Sequence, residues 1–116
     1  MMRPSLTLPR VYLHKAPVDF RKSINGLAAI VEQSLQLSPF SQELFVFTNR
    51  RRDRIKILLW ESNGFCLYYK RLEQHRFHWP RQGDGATITL TGQQLNALLD
   101  GFNVEPHPPL YFTAIQ

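Results

Sequence analysis

The chain reads as an α+β domain, an antiparallel β-meander of about five short strands with two helices packed on it. Three observations predict this. Short apolar stretches rich in β-branched and aromatic residues recur at strand length over residues 10–14, 44–47, 54–61, 65–73 and 86–90. Apolar residues fall at helical spacing in only two places, from Ile24 to Leu35 and from Leu95 to Leu99. The 116 residues suffice for one core, and neither an internal repeat nor a Gly- or Ser-rich linker divides them.

Residues 1–9, with Pro4 and Pro9, read as a loose N-terminal leader, residues 10–102 as the single domain and residues 103–116 as an extended C-terminal tail. Within the domain, residues 10–14 alternate as a strand that must stop before Pro17. Asp19 is placed to cap the first helix, a contribution of ~1 kcal/mol. Ile24, Leu27, Ala28, Val31 and Leu35 form its apolar stripe, and Ser38-Pro39 ends it. Gly26 weakens that helix by roughly 1 kcal/mol relative to Ala, so it is expected where something packs closely.

Leu44-Phe45-Val46-Phe47 is a run of strand formers, followed by the polar turn Thr48-Asn49-Arg50-Arg51-Arg52-Asp53 and a strand over residues 54–61. Asn63-Gly64 suits the positive φ angles of a type I′ hairpin turn, so residues 65–73 return antiparallel. Phe77-His78-Trp79 adds a little sheet before Pro80, and residues 86–90 alternate as the last strand. Thr91-Gly92-Gln93-Gln94 is a capping box, Leu95, Leu98 and Leu99 face the core, and Gly101 falls at the C′ position of this second helix.

A two-residue turn at Asn63-Gly64 would set Ser62 across from Phe65, and then Trp60 across from Leu67, Leu58 from Tyr69, Lys56 from Arg71 and Arg54 from Glu73. Both faces of the hairpin are apolar, so other elements must cover part of each. Lys56 opposite Arg71 is a like-charge pair, unfavourable by a few tenths of a kcal/mol unless an anion relieves it.

The net charge of +5 is concentrated. Residues 50–81 hold nine bases and three acids, a net +6, while the other 84 residues hold five bases and six acids, a net −1. The same segment carries six of the fourteen aromatics: Trp60, Phe65, Tyr68, Tyr69, Phe77 and Trp79. Cations neutralise phosphates and aromatic rings stack on bases, so Arg50, Arg51, Arg52, Arg54, Lys56, Lys70 and Arg71 are candidate nucleic-acid-binding residues. The alternative is a hairpin whose aromatics are core and whose arginines are merely solvated.

Other chemistry finds little support. Cys66 stands alone, which excludes an internal disulfide and a cysteine-based zinc site, and it reads as a buried inert thiol. With no apolar run near the ~20 residues of a membrane span and no signal-peptide pattern at the start, a cytoplasmic protein without membrane contact is expected. His75 and His78 lack an accompanying acidic cluster, so no metal site is expected. No Gly-rich phosphate loop or nucleophile elbow occurs, and the nine acids are scattered singly. Neither a cofactor nor a catalytic residue is assigned.

Several segments in order resemble a known family: Val11-Tyr12-Leu13-His14; Pro17-Val18-Asp19-Phe20-Arg21-Lys22-Ser23-Ile24-Asn25-Gly26-Leu27; Phe45 through Lys56 with its Asn49-Arg50-Arg51-Arg52-Asp53 core; Gly64 through Glu73; and Phe77-His78-Trp79-Pro80. They look like the accessory TnpB (Orf2-like) proteins of insertion sequence 66 elements, a group unrelated to the much longer RNA-guided nucleases that share the gene name. The similarity runs from about residue 10 to residue 102. Phe20 and Ser23 stand where Met and Gly are usual, and Cys66 and Tyr68 where Trp is common.

The resemblance implies a bacterial, non-enzymatic accessory factor in transposition, acting beside a larger transposase that carries the carboxylate chemistry. Transposon DNA and the transposase are its implied partners. Asp19, Arg21 and Trp79 fall on family motif positions without an assigned role. Arg21, poorly placed for a helix N-terminus, is expected to bridge a sheet carboxylate such as Glu61 or Glu73, so that Arg21→Ala would lower the melting temperature. The leading reading is binding of DNA, transposase or both through the basic hairpin; the alternative is a pure protein-interaction module docking on the transposase without direct DNA binding, and the second alternative a small nuclease.

Overall fold

Five strands and two helices form within residues 9–104, the part of the chain that the computed structural model describes. They are β1 (Val11–His14), α1 (Ile24–Ala29) running into a π-helical turn (Ile30–Ser34), β2 (Leu44–Thr48), β3 (Arg54–Glu61), β4 (Gly64–Arg71), β5 (Thr87–Leu90) and α2 (Gly92–Leu99). The expected leader and tail fall largely outside the described residues. Val104, just past the expected domain boundary, packs into the core.

The α+β class is as expected, but the sheet is mixed. Its order is β4-β3-β2-β1-β5, and β1 runs parallel to β2, with Val11 opposite Leu44 and Leu13 opposite Val46. The connection from β1 to β2 contains α1, and a helical crossover returns the chain to the end from which β1 started. A simple meander would have required a tight turn there.

Helices cover both faces of the sheet. On one, Val11, Leu13, Val46 and Ile57 pack with Phe77, Trp79 and the Leu95, Leu98 and Leu99 face of α2; on the other, Phe45, Phe47 and Leu58 pack with Leu27 and Val31. All five residues of β2 are buried, which is why Leu44–Phe47 reads as a continuous apolar run rather than an alternation; the buried Thr48 at its end satisfies its hydroxyl on the Arg54 carbonyl.

The local caps divide into one expected and one unexpected. Thr91 accepts from the Gln94 N–H at 3.0 Å while the Thr91 N–H donates to the Gln94 side chain at 2.9 Å, a complete capping box. Gly101, at φ 95°, closes α2 with N–H bonds from Gly101 to Leu98 and from Phe102 to Ala97, the Schellman pattern. Asp19, by contrast, does not cap α1. The helix starts four residues later behind Ser23, whose side chain makes no capping bond, because residues 19–22 first close a separate turn with the Lys22 N–H on the Asp19 carbonyl. Gly26 serves this turn: a Cβ there would lie 2.9 Å from the Lys22 Cβ.

The β3–β4 hairpin also turns one residue earlier than expected. Glu61 pairs with Gly64, leaving Ser62 and Asn63 as the loop, with Ser62 at φ 54°. Each partner slides by two positions, so every side chain keeps its face but meets a different neighbour. Trp60 now sits opposite Phe65, edge to face at 5.0 Å, and Phe40 joins both at 5.1 and 5.4 Å. Aromatic cross-strand packing outweighs the turn preference of Asn63-Gly64. Lys56 therefore faces Tyr69 rather than Arg71, and Arg71 faces Arg54.

Candidate nucleic-acid interface

The turn between β2 and β3 is held from within by Asn49. Its carbonyl oxygen accepts from the N–H groups of Asp53 and Arg54 at 3.1 and 3.2 Å, and its amide donates to the Asp53 carboxylate at 2.6 Å. This last bond is the main reason the Asp53 carboxyl lies below its usual pKa; Arg51, 4.0 Å away, adds to it. The Thr48 hydroxyl donates to the Arg54 carbonyl at 2.9 Å, and Arg52 takes the left-handed conformation at φ 60°. The loop is thus pinned by polar side chains at its base while Arg50 and Arg51 project into solvent.

Arg54 and Arg71 extend this cationic edge into the sheet as a directly opposed pair. Arg71 donates from Nε to Glu73 at 3.0 Å, which raises its pKa. The Nε atoms of Arg52 and Arg54 are buried and have no hydrogen-bond partner among the described residues. An open cleft of about 380 Å³ adjoins the loop, lined by Pro17, Val18, Asp19 and Phe20 on one wall and by Asn49, Arg50 and Arg51 on the other.

Two of the seven candidate cations stand apart from this edge. Lys56 is only 8% exposed: its ammonium donates to the carbonyls of Phe20 and Lys22 at 2.9 and 2.8 Å and lies over the Phe20 and Tyr69 rings at 4.9 and 5.7 Å. Burial, then the nearby Arg54 charge, pushes its pKa down. Lys70 lies on the opposite face and donates to the Leu99 carbonyl at 2.7 Å, where a cation suits the C-terminus of α2. Arg50, Arg51, Arg52, Arg54 and Arg71 remain together at the edge.

The family-motif residues take structural places. Trp79, 5% exposed, donates from its indole N–H to the carbonyls of His14 and Lys15 at 3.2 and 3.1 Å, tying the segment after β4 to the end of β1. Arg21 reaches neither Glu61 nor Glu73. It folds back on Asp19, with Nε 2.9 Å and a terminal nitrogen 2.6 Å from one carboxylate oxygen, while its own N–H bonds the other at 2.9 Å. These bonds lower the Asp19 pKa to about 2.

With the Arg21 side chain almost wholly solvated, Arg21→Ala is expected to leave the melting temperature essentially unchanged, against the stabilising bridge anticipated from sequence. The same substitution should return the Asp19 carboxyl toward its ordinary pKa, readable by NMR titration. In the intact protein the depressed pKa gives this solvated pair's small contribution its sign: it is full above the unfolded value of 3.8 and lost as pH falls toward about 2.

Phe20, whose carbonyl and ring both hold Lys56, carried no mark in the sequence beyond its departure from the family pattern. Among the described residues no three His, Cys, Asp or Glu side chains gather as metal ligands, and no helix is long and apolar enough to cross a membrane. Cys66 is exposed rather than buried, because its side chain leaves β4 at the border of the sheet.

Residues 9–108 match the family model described as IS66 Orf2 like protein. The chain belongs to the IS66 Orf2-like family. Two curated proteins of Sinorhizobium fredii (strain NBRC 101917 / NGR234) are similar to the chain at 35% identity: "Uncharacterized protein y4jC", over 89% of this chain and 86% of that protein, and "Uncharacterized protein y4hO", over 88% of each. No solved structure matches. Membership of the IS66 Orf2-like family associates the chain with the transposition machinery of insertion sequences, in an accessory role.

Proposed function

We propose that this IS66 Orf2-like protein is a non-enzymatic transposition factor that holds DNA phosphates on its arginine edge, alongside the transposase. The observation that carries the reading is the Arg54–Arg71 pair, two cations directly opposite each other in the sheet, of which Arg71 is offset in part by Glu73 while the Arg54 Nε has no hydrogen-bond partner among the described residues. Like charges facing across a ladder are unfavourable by a few tenths of a kcal/mol, and a phosphate bridging them reverses the sign. Arg50 and Arg51 stand ready on the adjoining loop, whose geometry is set before any ligand arrives.

Terminal-repeat DNA titrated at several salt concentrations tests this. Some 3–5 phosphate contacts give a log-log slope of roughly −3 to −4.5, and changing Arg50, Arg51 and Arg52 together to Ala should flatten it by up to ~3. Absence of measurable binding at low salt would exclude the phosphate reading.

The alternative, docking on the transposase without direct DNA contact, is favoured by the aromatic group at the hairpin tip, where Phe40 remains 53% exposed against Trp60 and Phe65. DNA shifts that appear only when transposase is added, and are unaffected by the arginine changes, belong to that reading.

A further inference from the structure

β4 is the border of the sheet for all eight of its residues, and among the described residues no other strand bonds to its outer side. Its pairing with β3 runs unbroken from Arg54–Arg71 to Glu61–Gly64, without bulge or proline. None of its residues is buried. Natural border strands are usually short, charged, kinked or covered, because an open flat edge recruits another strand. The opposite border, β5, follows that rule with four residues, behind a segment held by Lys15 on the Gln82 and Gly83 carbonyls. β4 does not follow it. Its charges, Lys70 and Arg71, are confined to one end, and Lys70 is turned onto α2.

We infer that the β4 edge is a self-association surface, on which β4 of a second copy of this chain adds antiparallel across a two-fold axis. Two features single out this occupant. The strand is polar along its length: cations stand at residues 70 and 71, whereas Gly64 and Phe65 are neutral and Glu61 lies just before them. Antiparallel addition sets each cationic end over the other copy's neutral or acidic end, while parallel addition would stack Lys70 and Arg71 on themselves. The exposed aromatics also match. Of the three large hydrophobic side chains exposed among the described residues, two lie beside this edge on the α1 face, Tyr69 within β4 and Phe40 against Phe65.

Strand parity limits the register. A ladder closed by a two-residue loop points the N–H groups of Gly64, Cys66, Tyr68 and Lys70 toward β3 and those of Phe65, Leu67, Tyr69 and Arg71 outward. Centring the two-fold on Leu67 joins outward positions to each other: Leu67 meets Leu67 of the second copy, Phe65 meets Tyr69, and Arg71 meets Asn63. The result is a ten-stranded sheet whose two arginine edges share one face.

The full chain, in reductant and without DNA, should sediment at twice its 13.6 kDa mass in the upper micromolar range and dissociate on dilution. Cys66→Lys, at an exposed position, puts two like charges near the axis and should hold the folded protein monomeric. Leu67→Pro, which removes one outward N–H and no bond to β3, should do the same. Amide exchange at Phe65, Leu67 and Tyr69 should slow with rising concentration. A single monomer mass throughout, a dimer indifferent to both variants, or slow exchange at those amides at every concentration would each overturn the inference, the last by placing something of the same chain on the edge. Because DNA is absent from every arm, failure here leaves the phosphate reading standing.

Discussion

Replacing Trp79 with alanine should lower the unfolding free energy by about 3–5 kcal/mol, a large share of the ~5–15 kcal/mol typical of a domain. The indole packs beside Phe77 among the residues that α2 covers, so truncation empties the interior of that layer rather than its rim. It also strips the donor from the carbonyls of His14 and Lys15. Trp79→Phe separates the two effects, since it keeps most of the ring and loses the N–H, and should cost about 1–3 kcal/mol. Urea unfolding followed by circular dichroism reads both. A loss below ~1 kcal/mol for the alanine variant would mean that the indole does not fasten the segment after β4 to β1.

The second large effect is expected at Lys56. Lys56→Ala removes the donor from two backbone carbonyls, the cation from over the Phe20 and Tyr69 rings and the stem of a buried side chain, a loss of about 2–4 kcal/mol. Lys56→Met retains the stem and should cost less, ~1–3 kcal/mol. Both variants, while folded, should bind DNA within about twofold of the parent, because the ammonium is spent on the turn at residues 19–22 and not on the surface. A phosphate contact at Lys56 would instead lower affinity tenfold or so, about 1.4 kcal/mol, without destabilising the fold. The pH response has a definite sign. Burial lowers the folded pKa, so the unfolded chain binds the proton more tightly, and stability linked to this group rises as pH climbs through that lowered value toward the ordinary 10.5.

Features that depend on a few neighbouring residues were legible. The capping box and the closing glycine of α2 are set within one turn of chain, and Leu44–Phe47, hidden on both sides of the sheet, is apolar throughout. The parallel pairing of β1 with β2 was not, because alternation along a strand marks its faces and says nothing of its direction. At the hairpin, Asn63-Gly64 announced a turn that the Trp60–Phe65 contact overruled by one residue.

The candidate site was half legible for a similar reason. Charge counting found the edge, and strand parity alone could have separated Lys70 from Arg71, since successive side chains leave a strand on opposite sides. Lys56 is different. Its parity puts it with Arg54 and Arg71, and only the turn made by residues 19–22 lying over that position turns a surface cation into an interior strut.

The place of β1 in the sheet bears on how the domain is made. Its four residues find their partners in β2 and in β5, whose register joins Val11 to Leu90 and His14 to Thr87. Strands β2, β3 and β4 can associate as soon as they are synthesised, but β1 remains unclosed on one side until more than seventy further residues have followed it. Such long-range closure slows folding, and an incomplete chain exposes a half-paired strand to its neighbours. Premature termination anywhere before β5 therefore yields an aggregation-prone fragment rather than a smaller working domain.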